Sequence, residues 1–197
     1  MTRSRQTADW GSRAGLAKIV PSSVAVGSGT GSADALGTVT FTAVSSVSLN
    51  GVFTSTYKNY KLVYNGTKTL DNSLFFRFRA SGTDDSSANY NWGNSRAFAV
   101  SGTYDLDRAG SSTSGSFVSV NGANAFQNAD ITIYSPFESV VTKFSGTNVF
   151  SSASSAGSIG GGQSFGAHLV ASAFDGLTIF PSSGTITGTI QIYGLTQ

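Results

Sequence analysis

The stretch TITGTIQIYGLTQ, residues 185–197, alternates apolar positions with hydroxyl and amide side chains. Side chains of a β-strand point alternately to opposite faces, so this period of two predicts a strand with one buried face. The segment SLFFRFR, residues 73–79, repeats the pattern with larger apolar side chains, and its two arginines share one face. Both segments therefore predict an all-β protein.

The same alternation, or a short apolar run bounded by turn residues, recurs from about residue 38 onward. The remaining predicted strands are residues 39–44, 46–49, 60–64, 96–100, 116–120, 130–134, 139–144, 167–171 and 176–180. Asn50-Gly51 is predicted as a hairpin-type turn, and Asn65-Gly66 as the end of its strand.

Two segments between these strands lack the pattern. Residues 80–115, apart from 96–100, are predicted as a long loop, and the Ser-, Ala- and Gly-rich residues 151–162 as a flexible one. Some ten strands with short connections indicate an antiparallel two-sheet β-sandwich, jelly-roll-like in type, over residues 38–197.

The composition restricts the function classes. Charged residues make up 11% of the 197 residues, against about 25% in an average globular protein. Such a surface is typical of proteins that are covered by partner subunits. The chain has no cysteine, which excludes disulfides, thiolate metal sites and cysteine nucleophiles.

Residues 1–37 differ from the rest and are predicted as an N-terminal anchoring arm followed by a Gly/Ser linker at residues 24–32. The arm is basic, which suits an acidic protein surface, whereas its single aromatic residue gives little support for nucleic-acid binding. Residues expected to dock the arm on a partner protein are Arg3, Arg5, Trp10, Arg13, Leu16 and Ile19. Two alternatives stay open: a solvated terminus, and apolar residues that pack on the chain's own body. No apolar run resembles a secretory signal or a membrane span, so export and membrane insertion are not expected.

Several segments in this order resemble β-sandwich modules of tail-fibre and other minor virion proteins of tailed bacteriophages. They are FTSTYKNYKLVY (53–64), LFFRFR (74–79), SANYN (87–91), FDGLTIF (174–180) and GTIQIYGL (188–195). The resemblance implies a jelly-roll-like homotrimer on the virion surface, assembled in the host cytoplasm, and in some cases host-glycan binding. A long fibre shaft is lacking here, which points to a short tail fibre, a head fibre or decoration protein, or an adaptor contacting capsid, portal or tail proteins.

Candidate catalytic residues are few. Asp84, Asp85, Asp105 and Asp107 lie in predicted loops, where aspartate is favoured by turn and capping chemistry. A glycosidase pair formed by Asp85 and Asp107, or calcium binding at Asp105 and Asp107, is the weaker interpretation. We therefore expect neither an enzyme nor a metal or cofactor site.

Two further features, His168 and residues 157–163, are interpreted as structural and not as catalytic. His168 is the only histidine and lies in an apolar strand, which favours a packed residue over a general base. No Gly-x-Ser-x-Gly elbow supports a catalytic triad. Residues 157–163 resemble a phosphate loop only in glycine content and are predicted as a flexible loop.

A candidate glycan-binding site combines aromatic residues with amide and carboxylate groups on loops. Its residues are Tyr90, Asn91, Trp92, Tyr104 and Asp105. The alternative, that Tyr90 and Trp92 pack the end of the sandwich or a trimer interface, is favoured because aromatic residues dominate cores and interfaces. The expected function is accordingly that of a virion structural protein, with host-glycan recognition as the alternative.

Overall fold

The computed structural model describes residues 15–70, 73–99, 101–118, 126–152 and 158–196, and this part of the chain contains strands and no helix. The strands are β1 (Leu16–Ile19), β2 (Ser23–Val26), β3 (Thr30–Ala33), β4 (Thr38–Val44), β5 (Val47–Asn50), β6 (Asn59–Lys68), β7 (Leu74–Ala80), β8 (Thr83–Asp84), β9 (Tyr90–Phe98), β10 (Tyr104–Ser112), β11 (Gly115–Val118), β12 (Phe126–Tyr134), β13 (Val140–Ser152), β14 (Ser158–Ser172), β15 (Gly176–Pro181) and β16 (Ile186–Leu195).

The strands form two sheets in which every described pair is antiparallel. The large sheet has the order β10-β9-β14-β13-β12-β6-β16-β4-β3, and β1 pairs with β16 beside β4. The small sheet has the order β11-β7-β15-β5-β2, with β8 paired to β7. The predicted all-β, two-sheet antiparallel sandwich is confirmed.

The core lies between the two sheets and follows from the period-two pattern. In β7, Leu74, Phe76 and Phe78 are buried, whereas the residues between them are partly exposed, as the sequence predicts. Facing them, the large sheet buries alternate residues of β6, β12 and β16. Burial of a large apolar side chain contributes about 1.5–3 kcal/mol, so these two faces supply the main stabilisation.

The N-terminal region differs from its prediction. Residues 15–37 are not an arm and linker, because β1, β2 and β3 pair with β16, β5 and β4 respectively. Gly29 has a φ of +63° at the turn between β2 and β3, and a Cβ at Gly31 would lie 2.6 Å from Cγ1 of Val26. The glycines that suggested flexibility therefore serve a turn and a close packing contact. Residues 1–14 lie outside the described part.

Other departures from the prediction concern the polar segments. The long loop predicted over 80–115 contains β8, β9 and β10, and the loop predicted over 151–162 is reduced because β13 and β14 extend into it. Asn50-Gly51 connects the small sheet to the large one and is not a hairpin turn, and β6 continues through Asn65-Gly66. These strands obtain their stability from pairing and lack a strong apolar alternation of their own.

Candidate functional site

The large sheet presents an unusually apolar surface on the side that faces away from the core. We call the outward side of strands β10, β9, β14, β13 and β12 the outer face. Its exposed large apolar residues are Tyr104, Leu106, Phe126, Tyr134, Val149, Ile159 and Phe165. Leu106 is 77% exposed and Phe165 is 60% exposed. Contiguous apolar surface of this kind on a soluble domain marks an interaction site.

The outer face divides into two parts along the strands. The first part, which we call the apolar half, consists of Tyr104, Leu106, Phe126, Val149 and Ile159. The register places Tyr104 and Val149 in one row across the sheet, three strand spacings or roughly 14 Å apart, with the small residues Ala97 and Gly161 between them. Ile159 lies opposite position 151, whose hydroxyl accepts the Phe126 N–H.

The second part of the outer face is a groove of about 700 Å³ over the opposite ends of the same strands. Its volume lies within the range of small-molecule sites, which is about 300–1,000 Å³. The lining consists of Asn91, Trp92, Arg108, Ala109, Gly110, Tyr134, Lys143, Phe144, Ser145, Phe165, Gly166 and Ala167.

Two aromatic side chains of the groove are held in place by specific neighbours. The Phe165 ring leans over Gly93 on the adjacent strand, where an added Cβ would lie 2.8 Å from Cζ of the ring. The Tyr134 hydroxyl lies 3.0 Å from Oγ of Ser145, within hydrogen-bond distance. Both rings are therefore positioned before any ligand arrives, which lowers the entropic cost of binding.

The charges at the groove are of one sign. Arg108 of β10 and Lys143 of β13 line it, and no carboxylate of the described residues does. Neither cation takes part in the ion pairs described, whereas Asp130 on the same face is paired with Lys61 at 2.7 Å. Three strand spacings separate the backbones of Arg108 and Lys143, roughly 14 Å. The groove is thus an apolar site flanked by two cations.

The structure separates the residues of the predicted glycan site. Tyr90 is fully buried, and its hydroxyl accepts the Phe78 N–H at 2.9 Å and donates to the Asp85 carbonyl at 3.0 Å. It cannot offer a ring face to a sugar because both faces and the hydroxyl are used in the core. Asn91 and Trp92 border the groove, but the Trp92 ring packs against the core and lies 6.2 Å from the Phe75 ring of the small sheet, between centroids.

Tyr104 and Asp105 lie elsewhere on the outer strands. Tyr104 pairs with position 97, five residues along β9 from Trp92, which corresponds to roughly 17 Å. The Asp105 carboxylate accepts a hydrogen bond from Nε of Arg96 at 3.2 Å. The five predicted residues therefore lie in three separate places: Tyr90 in the core, Asn91 and Trp92 at the groove, and Tyr104 and Asp105 further along β10. Sequence reasoning missed Phe165, Tyr134, Arg108 and Lys143, which lie on strands distant in sequence.

The docking residues predicted at the N-terminus fall into two groups. Arg3, Arg5, Trp10 and Arg13 lie outside the described residues. Leu16 and Ile19 belong to β1, which pairs with β16. Leu16 is half exposed, and Ile19 packs against the core. Ile19 therefore contributes to the sandwich itself.

His168 is fully buried between the sheets, as predicted for a packed residue. Its Nδ1 lies 3.0 Å from the Val170 carbonyl oxygen and its Nε2 2.9 Å from Oδ2 of Asp85. Burial alone would raise the pKa of Asp85, but hydrogen bonds from Ser87 and the adjacent His168 outweigh it and hold that pKa below its ordinary value. His168 is thus enclosed in the core, whereas the Asp85 side chain is 25% exposed.

The carboxylates considered for catalysis are distributed along the fold. Asp84 forms an ion pair with Arg79, and Asp85 bonds His168. Asp107 lies opposite Asn94, four residues along β9 from Tyr90, the residue that contacts Asp85. The backbones of Tyr90 and Asn94 are roughly 13 Å apart along β9, so the register does not place Asp107 beside Asp85. Within the described residues, no group of three or more metal-ligating side chains comes together.

A comparison of the sequence with protein-family models and with curated proteins found no match. No helix long and apolar enough to cross a membrane occurs in the described part of the chain.

Proposed function

We propose that this chain is a structural protein of a bacteriophage particle, serving as a short tail fibre, a head fibre or decoration protein, or an adaptor. The single observation that carries the proposal is the apolar half of the outer face. In this proposal residues 1–14 dock on the particle, and the β-sandwich is displayed on its surface.

The apolar half has the chemistry of a subunit contact. Its five side chains are each between 51% and 77% exposed in the single chain. Covering one large apolar side chain contributes about 1.5–3 kcal/mol, so covering all five favours association by several kcal/mol. The charged fraction of 11% fits a surface designed for protein contacts. The strand segments resemble modules of phage virion proteins, and this resemblance is the reason for proposing a bacteriophage particle as the partner.

Assembly into a homotrimer through this half is part of the proposal. The mass in solution of the full chain and of residues 15–197 tests it by sedimentation equilibrium. We expect trimers for both, and a shift toward monomer in a Leu106→Ser, Ile159→Ser double variant. Monomers for both chains at high protein concentration would contradict the trimer.

Particle incorporation is tested with an antibody raised against the purified protein. We expect it to label gradient-purified particles at one fixed position in electron micrographs, and expect a chain lacking residues 1–14 to be lost from particles while remaining folded. Recovery of the full-length protein only in the soluble fraction would overturn the virion assignment.

Recognition of a host-surface glycan is a second candidate function, favoured by one specific observation. The groove combines two exposed rings, Phe165 and Tyr134, with polar groups of Asn91 and two cations. Flat aromatic faces suit the C–H side of a pyranose, and polar groups suit its hydroxyls. Structural and recognition roles are compatible because the apolar half and the groove are different parts of the outer face.

A further inference from the structure

We propose that the groove over β9, β14, β13 and β12 binds an acidic sugar, one that carries a carboxylate, within a cell-surface polysaccharide. This inference rests on the second candidate function above and specifies the ligand class and the residues. Phe165 and Tyr134 contact the ring, and Arg108 and Lys143 bind the carboxylate.

The shape of the groove accommodates one or two sugar rings. Its floor is made of small residues, Ala167, Gly110 and Ser145, so that the backbone of the sheet is accessible between taller side chains. Phe165 stands on one side and Tyr134 on the other, two strands away. A flat ring can lie between them with its C–H groups against the aromatic faces.

The charge pattern selects an anion. Arg108 and Lys143 are the charged members of the lining, and the nearest acidic residue of that face, Asp130, is occupied by Lys61. A guanidinium and an ammonium group beside an apolar surface form charge-assisted hydrogen bonds to a carboxylate that are stronger than those between neutral groups. Neutral sugars use only the aromatic part of this site.

The same charge pattern argues against the chain's own N-terminal segment as the occupant. Residues 1–14 carry Arg3, Arg5 and Arg13 against a single acidic residue, Asp9. Placing this segment between Arg108 and Lys143 would bring like charges together, which is unfavourable. A second copy bound through the groove is an outcome that the experiment below distinguishes.

The two rings give the site its rigidity. The Phe165 ring occupies the space left by the missing side chain of Gly93, and the Tyr134 hydroxyl is bound to Ser145. A methyl group at position 93 would displace the Phe165 ring without removing it. The variant Gly93→Ala is therefore expected to weaken sugar binding while it leaves the charges unchanged.

The test measures binding of the full-length protein to two matched pairs of probes. They are 3′-sialyllactose with lactose, and trigalacturonic acid with its methyl ester, supplemented by an array of bacterial surface polysaccharides. We expect retention of acid-bearing glycans and at least tenfold weaker binding of the neutral partner. Binding should also fall as salt increases, because screening weakens these contacts.

The variants Arg108→Ala, Lys143→Ala and Phe165→Ala are each expected to reduce binding about tenfold. Arg77→Ala is the matched control, since Arg77 also lies against an aromatic ring, 4.9 Å from the Phe180 centroid, but on the small sheet. It should bind as the unaltered protein does. Unfolding midpoints of all variants identify any that lose binding through misfolding.

Three outcomes would overturn the inference. They are no retention of any acidic glycan, equal binding of acidic and neutral partners, and a change of oligomeric mass, not of sugar binding, in Arg108→Ala and Phe165→Ala. None of these results would affect the virion assignment, which depends on particle labelling. Conversely, acidic-sugar binding by a protein absent from particles would leave this inference standing and overturn the virion role.

Discussion

The core between the sheets has two ends, and they differ in how many of their buried polar groups have hydrogen-bond partners. At one end, which we call the aromatic end, His168 lies among the rings of Phe78, Tyr90 and Phe174, with ring centroids 6.4, 4.9 and 5.0 Å away. Its two nitrogens both have oxygen partners, and so does the Tyr90 hydroxyl. The polar atoms of His168 and Tyr90 are thus paired, and Oγ1 of Thr142, which lies opposite His168, is the nearby exception among the described residues.

At the other end, the amide end, the buried residues include Asn94, Gln127 and Asn148. Asn94 donates to Oγ of Ser116 at 2.8 Å, and Ser164 donates to the Phe117 carbonyl at 2.9 Å. Both side-chain polar atoms of Gln127, and Oδ1 of Asn94 and Asn148, are buried without a partner among the described residues. An unpaired buried group costs about 1–3 kcal/mol, so this end is the less stable one.

This difference between the ends predicts which substitutions destabilise the protein. Paired polar groups inside a low-dielectric core strengthen one another, so removing one member leaves another unpaired. Where a group is already unpaired, its removal costs little or is favourable. We expect the aromatic end to be sensitive to conservative changes and the amide end to tolerate them.

The largest effect is expected for Phe78→Ala. The Phe78 ring lies within 6.5 Å of five other rings, those of Phe53, Phe76, Tyr90, His168 and Phe174, so its removal leaves a cavity lined by rigid groups. We expect a loss of about 4–5 kcal/mol in the free energy of unfolding, measured by denaturant titration at fixed protein concentration. Phe150→Ala at the amide end is the matched control, with an expected loss of about 3 kcal/mol. Equal losses would remove the distinction between the ends.

The next effect concerns His168→Leu, which keeps the volume and removes both hydrogen bonds. The Val170 carbonyl and the Asp85 carboxylate then lack their partner, and we expect a loss of about 2–3 kcal/mol. His168→Gln, which can still donate from its amide, should lose less. A loss below about 0.5 kcal/mol for His168→Leu, the range of ordinary surface substitutions, would show that the paired network contributes little.

Some strands could be predicted from the sequence and others could not. Strong alternation predicted β7 and β16, because one face of each strand meets the core and the other does not. β10 and the first part of β9, before the strand predicted at 96–100, were missed because inward positions there include Asn94, and because small and polar residues interrupt the apolar period. Burial of side chains on β9 and β10 depends on the neighbouring strands, and the local sequence pattern does not indicate which strands those are.

The groove was predictable only in part. Asn91 and Trp92 attracted attention as an aromatic-amide segment, and both line the groove. Tyr90 and Trp92 are two positions apart and share the inward side of β9, whereas Asn91 between them faces outward, because successive side chains of a strand alternate. Phe165 and Lys143 reach the site through the register of β14 and β13, a long-range pairing that sequence spacing does not reveal.

A smaller effect, of opposite sign, is expected for Gln127→Met. This change keeps the volume and removes two buried polar atoms that lack partners. We expect the free energy of unfolding to stay the same or rise by about 1 kcal/mol, observed as a higher melting temperature. Thr178→Val is the matched control for a buried polar group that is paired, since its hydroxyl bonds Ser48 at 2.8 Å and Asp84 at 2.6 Å. It should be destabilising, and a destabilised Gln127→Met would mean that ordered water pairs this amide.

The smallest effect is expected in the acid dependence of stability. The pKa of Asp85 in the folded protein is held below its ordinary value of 3.8. A carboxyl group with a depressed folded pKa stabilises the protein above its unfolded pKa, and this contribution is lost as the pH falls through the folded value. Stability should therefore decline below about pH 4, and Asp85→Asn should flatten that decline while lowering stability at neutral pH. Asp130→Asn serves as the control, because its ion pair with Lys61 is exposed and contributes little. Identical acid profiles for Asp85→Asn and the unaltered protein would mean that the aromatic end is held by its rings alone, without help from the Asp85–His168 contact.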